Sequence, residues 1–326
     1  MLVLSRAEVG ALLDLDALID ALAAAMADLS AGRASAPARV AAFVAEREGF
    51  SAAMPGYVPA LGALATKLVT LFPHNEAPVP THQALIAVFD PATGTPIALM
   101  DGTEITATRT AACSALSARL LAREDASVLA VLGTGVQARA HAVALPRVRP
   151  IREIRVAGRD AGKAAALARE LRRDLDLDVE ASTSFAAASR GADIVCATTA
   201  ATEPVVRLAW LSPGAHVTSV GFGPGREIDD DAIAAALLCV ESRSAVLAPV
   251  PAGSNDLLDP IRRGVIAEED IHAELGELLL GRRPGRTSAE QITLYKSVGV
   301  AVQDAAAAAL VLEAARARHA GRDIEL

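Results

Sequence analysis

This 326-residue chain lacks paired cysteines, clustered metal ligands, a basic surplus and long apolar runs, and each absence narrows its function. Its three cysteines, Cys113, Cys196 and Cys239, lie far apart with no C-x-x-C spacing. That excludes a disulfide framework and a structural zinc, and it suits a reducing, cytoplasmic setting with the thiols buried in cores. No His, Cys and acidic cluster has ligand spacing, so no metal is expected. Lys and Arg number 31 against 39 Asp and Glu, a net charge of −8, and the basic residues are dispersed. Nucleic acid and anionic membrane surfaces are therefore excluded as partners. No run approaches the ~18 to 20 apolar residues of a membrane span. The apolar stretch near residues 15–29 is broken by Asp16, Asp20 and Asp28. Residues 1–8 carry no basic segment ahead of an apolar core, so no secretory signal is visible. Internal repeats and low-complexity linkers are missing as well.

What is present is a 52% hydrophobic chain, long enough for two domains with real cores. Ser5-x-x-Glu8 and Asp14 have the chemistry of helix starts, and Leu12, Leu13, Leu15, Leu18, Ile19, Leu22 and Met26 recur at helical spacing up to Gly32. The pattern then shortens to strands at 64–71, 84–89 and 96–100, separated by turn residues. One helix spans 103–122. The first part is thus α+β with a mostly antiparallel sheet. From residue 123 strands and helices alternate: strands at 128–132, 153–157, 178–181, 193–198, 215–220 and 237–241, helices at 136–145, 160–174, 184–190 and 229–236. That alternation predicts a parallel sheet wound on both faces. A last strand at 291–295 and an Ala-rich helix at 299–320 follow.

The sharpest signal lies where the first of these strands meets its helix. Gly133-Thr134-Gly135-Val136-Gln137-Ala138 fits the G-x-G-x-x-G/A dinucleotide fingerprint. Gly133 permits the tight turn, Gly135 lets backbone approach a pyrophosphate, and Ala138 lets helix and strand pack closely. The positive end of the helix dipole then faces the phosphates. At the end of the second strand, where an acid would accept from the adenine ribose of NAD, stands Gly158, followed by Arg159. A guanidinium there favours the 2′-phosphate of NADP(H) over NAD(H). The alternative is that Asp160 caps the next helix and Arg159 is merely solvated.

Three cations punctuate the first part: Arg39, Lys67 and Arg109. Lys67 sits in an alternating run, where an outward, solvated lysine is the simpler expectation. Arg109 lies on an otherwise small and apolar helix, so it needs a partner, and a ligand carboxylate held by both prongs would serve.

Residues 67–75 (Lys-Leu-Val-Thr-Leu-Phe-Pro-His-Asn), Thr81-His82-Gln83, the block from Met100 to Ala112, the glycine turn and Lys296-Ser297-Val298-Gly299 resemble the ornithine cyclodeaminase/mu-crystallin family over nearly the whole chain. The resemblance implies a Rossmann domain at 123–299 inserted in a substrate and dimerisation domain of residues 1–122 plus 300–326, completed by the C-terminal helix. It implies that Arg39, Lys67 and Arg109 bind an amino- or imino-acid carboxylate beside the nicotinamide; Thr81 and His82 lie near enough in sequence to be candidates for supporting hydrogen bonds. Thr110 is then near the cofactor phosphates, and Thr198, Gly221 and Gly299 are further cofactor contacts. A homodimer is implied too.

Departures from the family pattern choose within it. Cyclodeaminases carry a glutamate shortly before a Met-Pro pair, whereas Met54-Pro55 follows Ser51-Ala52-Ala53. Those members and the alanine dehydrogenases carry an aspartate beyond the fifth strand. Residues 219–225 (Ser-Val-Gly-Phe-Gly-Pro-Gly) have none, and Phe222-Gly223 resembles the imine-reducing members. Asp229 is better placed to cap the following helix. Deamination needs a carboxylate base, whereas imine reduction needs only a bound carboxylate, an aligned hydride and a proton. The expected reaction is reduction of a cyclic imine with a 2-carboxylate, Δ1-pyrroline-2-carboxylate or Δ1-piperideine-2-carboxylate, with Lys67 holding the carboxylate or relaying the proton. Ornithine or lysine cyclodeamination through another acid, reductive amination of a 2-oxo acid, and a crystallin-like NADPH-binding role are the alternatives.

Overall fold

Period-two burial along Ala63–Leu71 sets the first sheet: Ala63, Ala65, Lys67 and Val69 turn to one face, Leu64, Thr66 and Leu68 to the other. The computed structural model describes residues 1–76, 78–221 and 225–325. In it this strand is an interior one of seven, ordered Arg322–Asp323, Leu2–Leu4, Pro96–Asp101, His82–Phe89, Ala63–Leu71, Gly49–Val58 and Val40–Val44. All neighbours are antiparallel except Leu2–Leu4 with Pro96–Asp101. Helices Leu15–Ser30 and Ala301–Arg318 pack on the Lys67 face, where Ala52, Met54, Val69 and Ala84 meet Ala301. Gly56 lets the C-terminal helix come close, since a Cβ there would stand 2.9 Å from the Ala301 backbone.

The helix starts follow local chemistry. Glu8 N donates to Ser5 Oγ (3.4 Å) and Ser5 N to Glu8 Oε2 (2.8 Å), a reciprocal capping box. Asp14 Oδ1 accepts from Ala17 N at 2.8 Å. Gly32, at φ +72°, follows the end of Leu15–Ser30 in the left-handed region that favours glycine.

The second sheet has eight strands, all parallel, in the order Ile271–Glu274, Leu237–Val240, Thr293–Lys296, His216–Ser219, Ile194–Ala197, Val128–Leu132, Glu153–Ala157 and Asp178–Ala181. Strands Val128–Leu132, Ile194–Ala197 and Leu237–Val240 read as continuous apolar runs because both faces are covered. From Val128–Leu132 the chain winds outward through two strands, then crosses to the opposite side at Ile194–Ala197. That reversal is the topological switch point at which open α/β sheets bind ligands.

Strand Ile271–Glu274 and the short helices Arg243–Val246, Asn255–Arg262 and Leu275–Leu279 are not evident from sequence, being too short to show a period. Two compact units emerge: Met1–Arg109 with Val300–Leu326, and Thr110–Gly299. The change of unit thus falls inside helix Gly102–Leu121, ahead of residue 122. Side-chain bonds divide the same way: Arg109 bonds Gln303 and Asp304, whereas Cys113, Ser114 and Ser117 bond Tyr295, His141 and His216. Among the described residues, no helix is long and apolar enough to cross a membrane.

Candidate active site

Lys67 does not point to solvent. It is 3% exposed, and its Nζ lies 2.9 Å from Asp304 Oδ2. Arg109 Nε donates to the other oxygen, Oδ1, at 3.0 Å, and Arg109 Nη1 donates to Gln303 Oε1 at 2.8 Å. The partner that Arg109 requires is therefore a carboxylate of the chain itself. Asp304 and Gln303 come from the first turn of Ala301–Arg318, the helix that Gly56 admits to the sheet. Sequence reasoning missed both, although Asp304 stands out by the criterion that singled out Arg109: a charge on an otherwise small, apolar helix.

Burial drives the Lys67 ammonium down to about 8; Asp304 opposes the fall, while Arg109 and Arg39 add to it. Burial alone would raise the Asp304 carboxyl, but Arg109 and Lys67 hold it below its ordinary value. His82 is lowered to about 4, first by burial and then by Lys67 and Arg109, so its ring is neutral at pH 7. Arg39 is half-buried in the segment before strand Val40–Val44. Thr81 is exposed just before strand His82–Phe89, where its carbonyl accepts from Phe72 N at 2.8 Å. His82, rather than Thr81, feels the charged cluster. Two buried cations, Lys67 and Arg109, share one buried carboxylate, Asp304.

In the second unit the glycine turn sits at the switch point. Gly133 has φ +133°, and a Cβ on it would stand 2.5 Å from Thr198 Oγ1. Thr198 Oγ1 in turn donates to Leu132 O at 2.9 Å. Gly135 begins helix Val136–Ala144, has no side-chain cap, and a Cβ on it would meet nothing within 4 Å. Backbone N–H groups at an open helix start are an anion cradle, so the residues present fit a dinucleotide pyrophosphate. Thr134 and Gln137 are half-buried, Val136 is exposed and Ala138 is buried. Gly158 packs on Thr134, whose Cγ2 would lie 2.6 Å from a Cβ at 158. A carboxylate side chain there would have to displace Thr134. Arg159 is exposed, and Asp160 Oδ1 caps the next helix from Lys163 N at 3.0 Å.

Thr110 is buried on helix Gly102–Leu121. Gly221 N donates to Glu227 Oε2 at 2.7 Å, and Gly221 O accepts from Lys296 Nζ at 3.0 Å. Lys296 is fully buried and also pairs with Asp256 Oδ2 at 2.8 Å. Gly299, at φ +78°, donates to Glu241 Oε1 at 2.7 Å. These buried acids and Lys296 hold the loops after three strands, a role that sequence spacing did not reveal. Phe222 and Gly223 lie outside the described residues. Asp229 Oδ1 accepts from Ala232 N at 2.9 Å, the expected cap.

The sequence profile of the ornithine cyclodeaminase/mu-crystallin family matches residues 1–319. The chain is 39% identical over 302 residues to the ketimine reductase mu-crystallin of Mus musculus, covering 91% of each. It is 36% identical to a Delta(1)-pyrroline-2-carboxylate reductase of Bacillus cereus over the full length of both. The fold matches that of the Thermococcus litoralis Delta(1)-pyrroline-2-carboxylate reductase, solved with NADH and L-proline, at a TM-score of 0.94 and 37% identity over 99% of this chain and 100% of that one. With both units and their side-chain clusters described, the chain belongs to the ornithine cyclodeaminase/mu-crystallin family.

Proposed function

We propose that this chain is an NAD(P)H-dependent imine reductase that converts a small cyclic imine bearing a 2-carboxylate, Δ1-pyrroline-2-carboxylate or Δ1-piperideine-2-carboxylate, to the cyclic amino acid. The observation that carries the reading is the buried cluster in which Lys67 and Arg109 together face the single carboxylate of Asp304. Surplus buried cations call for an anion of matching size, and a monocarboxylate is one. Arg39 and Arg109 hold it, and Lys67, brought to about 8, gives a proton to the imine nitrogen as C2 is reduced. The nicotinamide supplies the hydride. The turn from Gly133 to Ala138, with Thr198, Thr110, Gly221 and Gly299, holds the dinucleotide.

Two features speak against cyclodeamination. Ser51, Ala52 and Ala53 occupy the strand ahead of Met54-Pro55, with no acid. Asp304, the acid that is present, has an oxygen against each of Lys67 and Arg109 and is held in its ionised form, a poor base. Gly158 and exposed Arg159 favour NADPH over NADH. The three buried free thiols fit a reducing cytoplasm.

A screen of NADPH and NADH oxidation over cyclic imines, and over 2-oxo acids with and without ammonium, tests this. Cyclic imines are expected to turn over without ammonium, with the higher kcat/KM for NADPH. Strict ammonium dependence, ammonia release from ornithine, or tight NADPH binding without turnover would overturn it.

The chain is also proposed to form a homodimer through the outer face of the first sheet. Val40, Ala53, Leu68 and Leu85 stand opposite one another across four strands. Val40, Leu68 and Leu85 are 74%, 46% and 49% exposed. An apolar row on an open sheet face marks an interaction surface, and a two-fold contact makes such a face self-complementary. Leu68→Glu is expected to convert a dimer to a monomer in sedimentation velocity; an unchanged sedimentation coefficient would rule this face out.

A further inference from the structure

The cation cluster of the first unit is organised around one side chain that sequence analysis did not anticipate, and its geometry gives that side chain a task. Asp304 is 1% exposed, and its two oxygens are divided between two cations, Lys67 Nζ at 2.9 Å and Arg109 Nε at 3.0 Å. Gln303, one residue earlier, fixes a second nitrogen of the same guanidinium at 2.8 Å. The first turn of one helix thus fixes both the position of the ammonium and the plane of the guanidinium.

We propose that Asp304 is a positioning residue for imine reduction, keeping Lys67 protonated until the substrate nitrogen takes the proton and orienting Arg109 for the carboxylate. The inference rests on the reductase reading above. The step balances: hydride adds to C2, the C=N π pair moves to nitrogen, and nitrogen takes a proton from the Lys67 ammonium. Lys67 is left neutral and regains its proton from water.

The charges around Lys67 explain why such a holder is needed. Arg109 approaches from helix Gly102–Leu121, Arg39 from the segment before Val40–Val44, and the neutral ring of His82 from the adjoining strand. Burial and both guanidinium groups favour loss of the Lys67 proton; Asp304 is the counter-charge that favours keeping it. A carboxylate already saturated by two cations is a poor proton acceptor itself, so the proton stays on lysine rather than passing to aspartate.

The sign of the test follows. An acid must be protonated to act, so kcat/KM falls as pH rises past the Lys67 pKa. Removing the negative charge of Asp304 moves that basic limb to lower pH. Asp304→Asn and Asp304→Glu are compared with wild type for cyclic-imine reduction from pH 6 to 10. Binding of pyrrole-2-carboxylate, a planar carboxylate that accepts no hydride, is followed by calorimetry over the same range. Asp304→Asn is expected to shift the basic limb of kcat/KM and of carboxylate affinity by at least one pH unit toward acid, with kcat/KM at pH 8 reduced ~5-fold or more. Asp304→Glu is expected to restore the limb to within about half a unit. A folded Asp304→Asn with reduced activity and an unmoved limb in both measurements would overturn the inference while leaving the reductase reading intact. Failure of wild type to reduce any cyclic imine would instead remove that reading. Should Asp304→Asn not fold, an Asp304→Glu variant whose limb coincides with that of wild type supports the inference, and one whose limb moves by a unit or more counts against it.

Discussion

Lys67→Met is expected to lower kcat/KM for cyclic imines ~10³-fold or more while leaving NADPH affinity unchanged. Proton delivery by a positioned acid contributes ~10²–10⁴-fold. The complication is the fold. Lys67 and Asp304 form a buried pair, and removing one member of such a pair destabilises by about 3–5 kcal/mol. Arg109 still neutralises Asp304, so the loss here falls toward the lower end. A second variant, Lys67→Arg, separates the two effects. It keeps a positive charge against Asp304 and is expected to recover most of the stability in chemical denaturation but little of the turnover, because a guanidinium does not release its proton. Recovery of turnover with stability would show that Lys67 is structural, and its place in the reaction would be lost.

The second large effect belongs to the glycine turn, where adjacent glycines serve different ends. At Gly135 the backbone needs no glycine and a Cβ meets nothing within 4 Å. Gly135→Val is therefore expected to fold with wild-type stability, within about 0.5 kcal/mol. The valine would stand where phosphate oxygens approach the N–H groups of Val136–Ala144. Losing two charge-assisted bonds of ~1.5–3 kcal/mol each weakens NADPH binding ~100-fold or more. At Gly133 the opposite holds. With φ +133° and Thr198 Oγ1 2.5 Å from a Cβ, Gly133→Ala strains the fold itself, by about 1–3 kcal/mol for the backbone before the contact is counted. Fluorescence titration with NADPH and thermal denaturation of both variants distinguish the cases. Wild-type NADPH affinity in Gly135→Val would remove the turn from the cofactor site.

Much of the second unit was legible because its longer elements show their own rhythm. The apolar run at 128–132, the glycine turn and the helix from 136 appear where their residues predict them. The strand at Ile271–Glu274 was not legible, since four residues of mixed polarity carry no period. In the first unit the strands could be read, but the side of the sheet that Lys67 faces could not. Alternation tells which residues share a face; it does not tell which face a helix covers 230 residues later. The same gap hid Asp304. Arg109 reads as a charge in want of a partner, and the answer lies far along the chain, in an Ala-rich helix.

One strand carries both the proposed proton donor and the proposed dimer face. In Ala63–Leu71 the ammonium at 67 and the leucine at 68 are consecutive, so they lie on opposite sides of a single sheet. Slippage of this strand by one residue against Gly49–Val58 or His82–Phe89 would exchange them, sending leucine toward Asp304 and lysine to the outer surface. A lesion in the flanking hairpins, however far from any reacting atom, would then extinguish catalysis and self-association together, and the paired loss would be its signature.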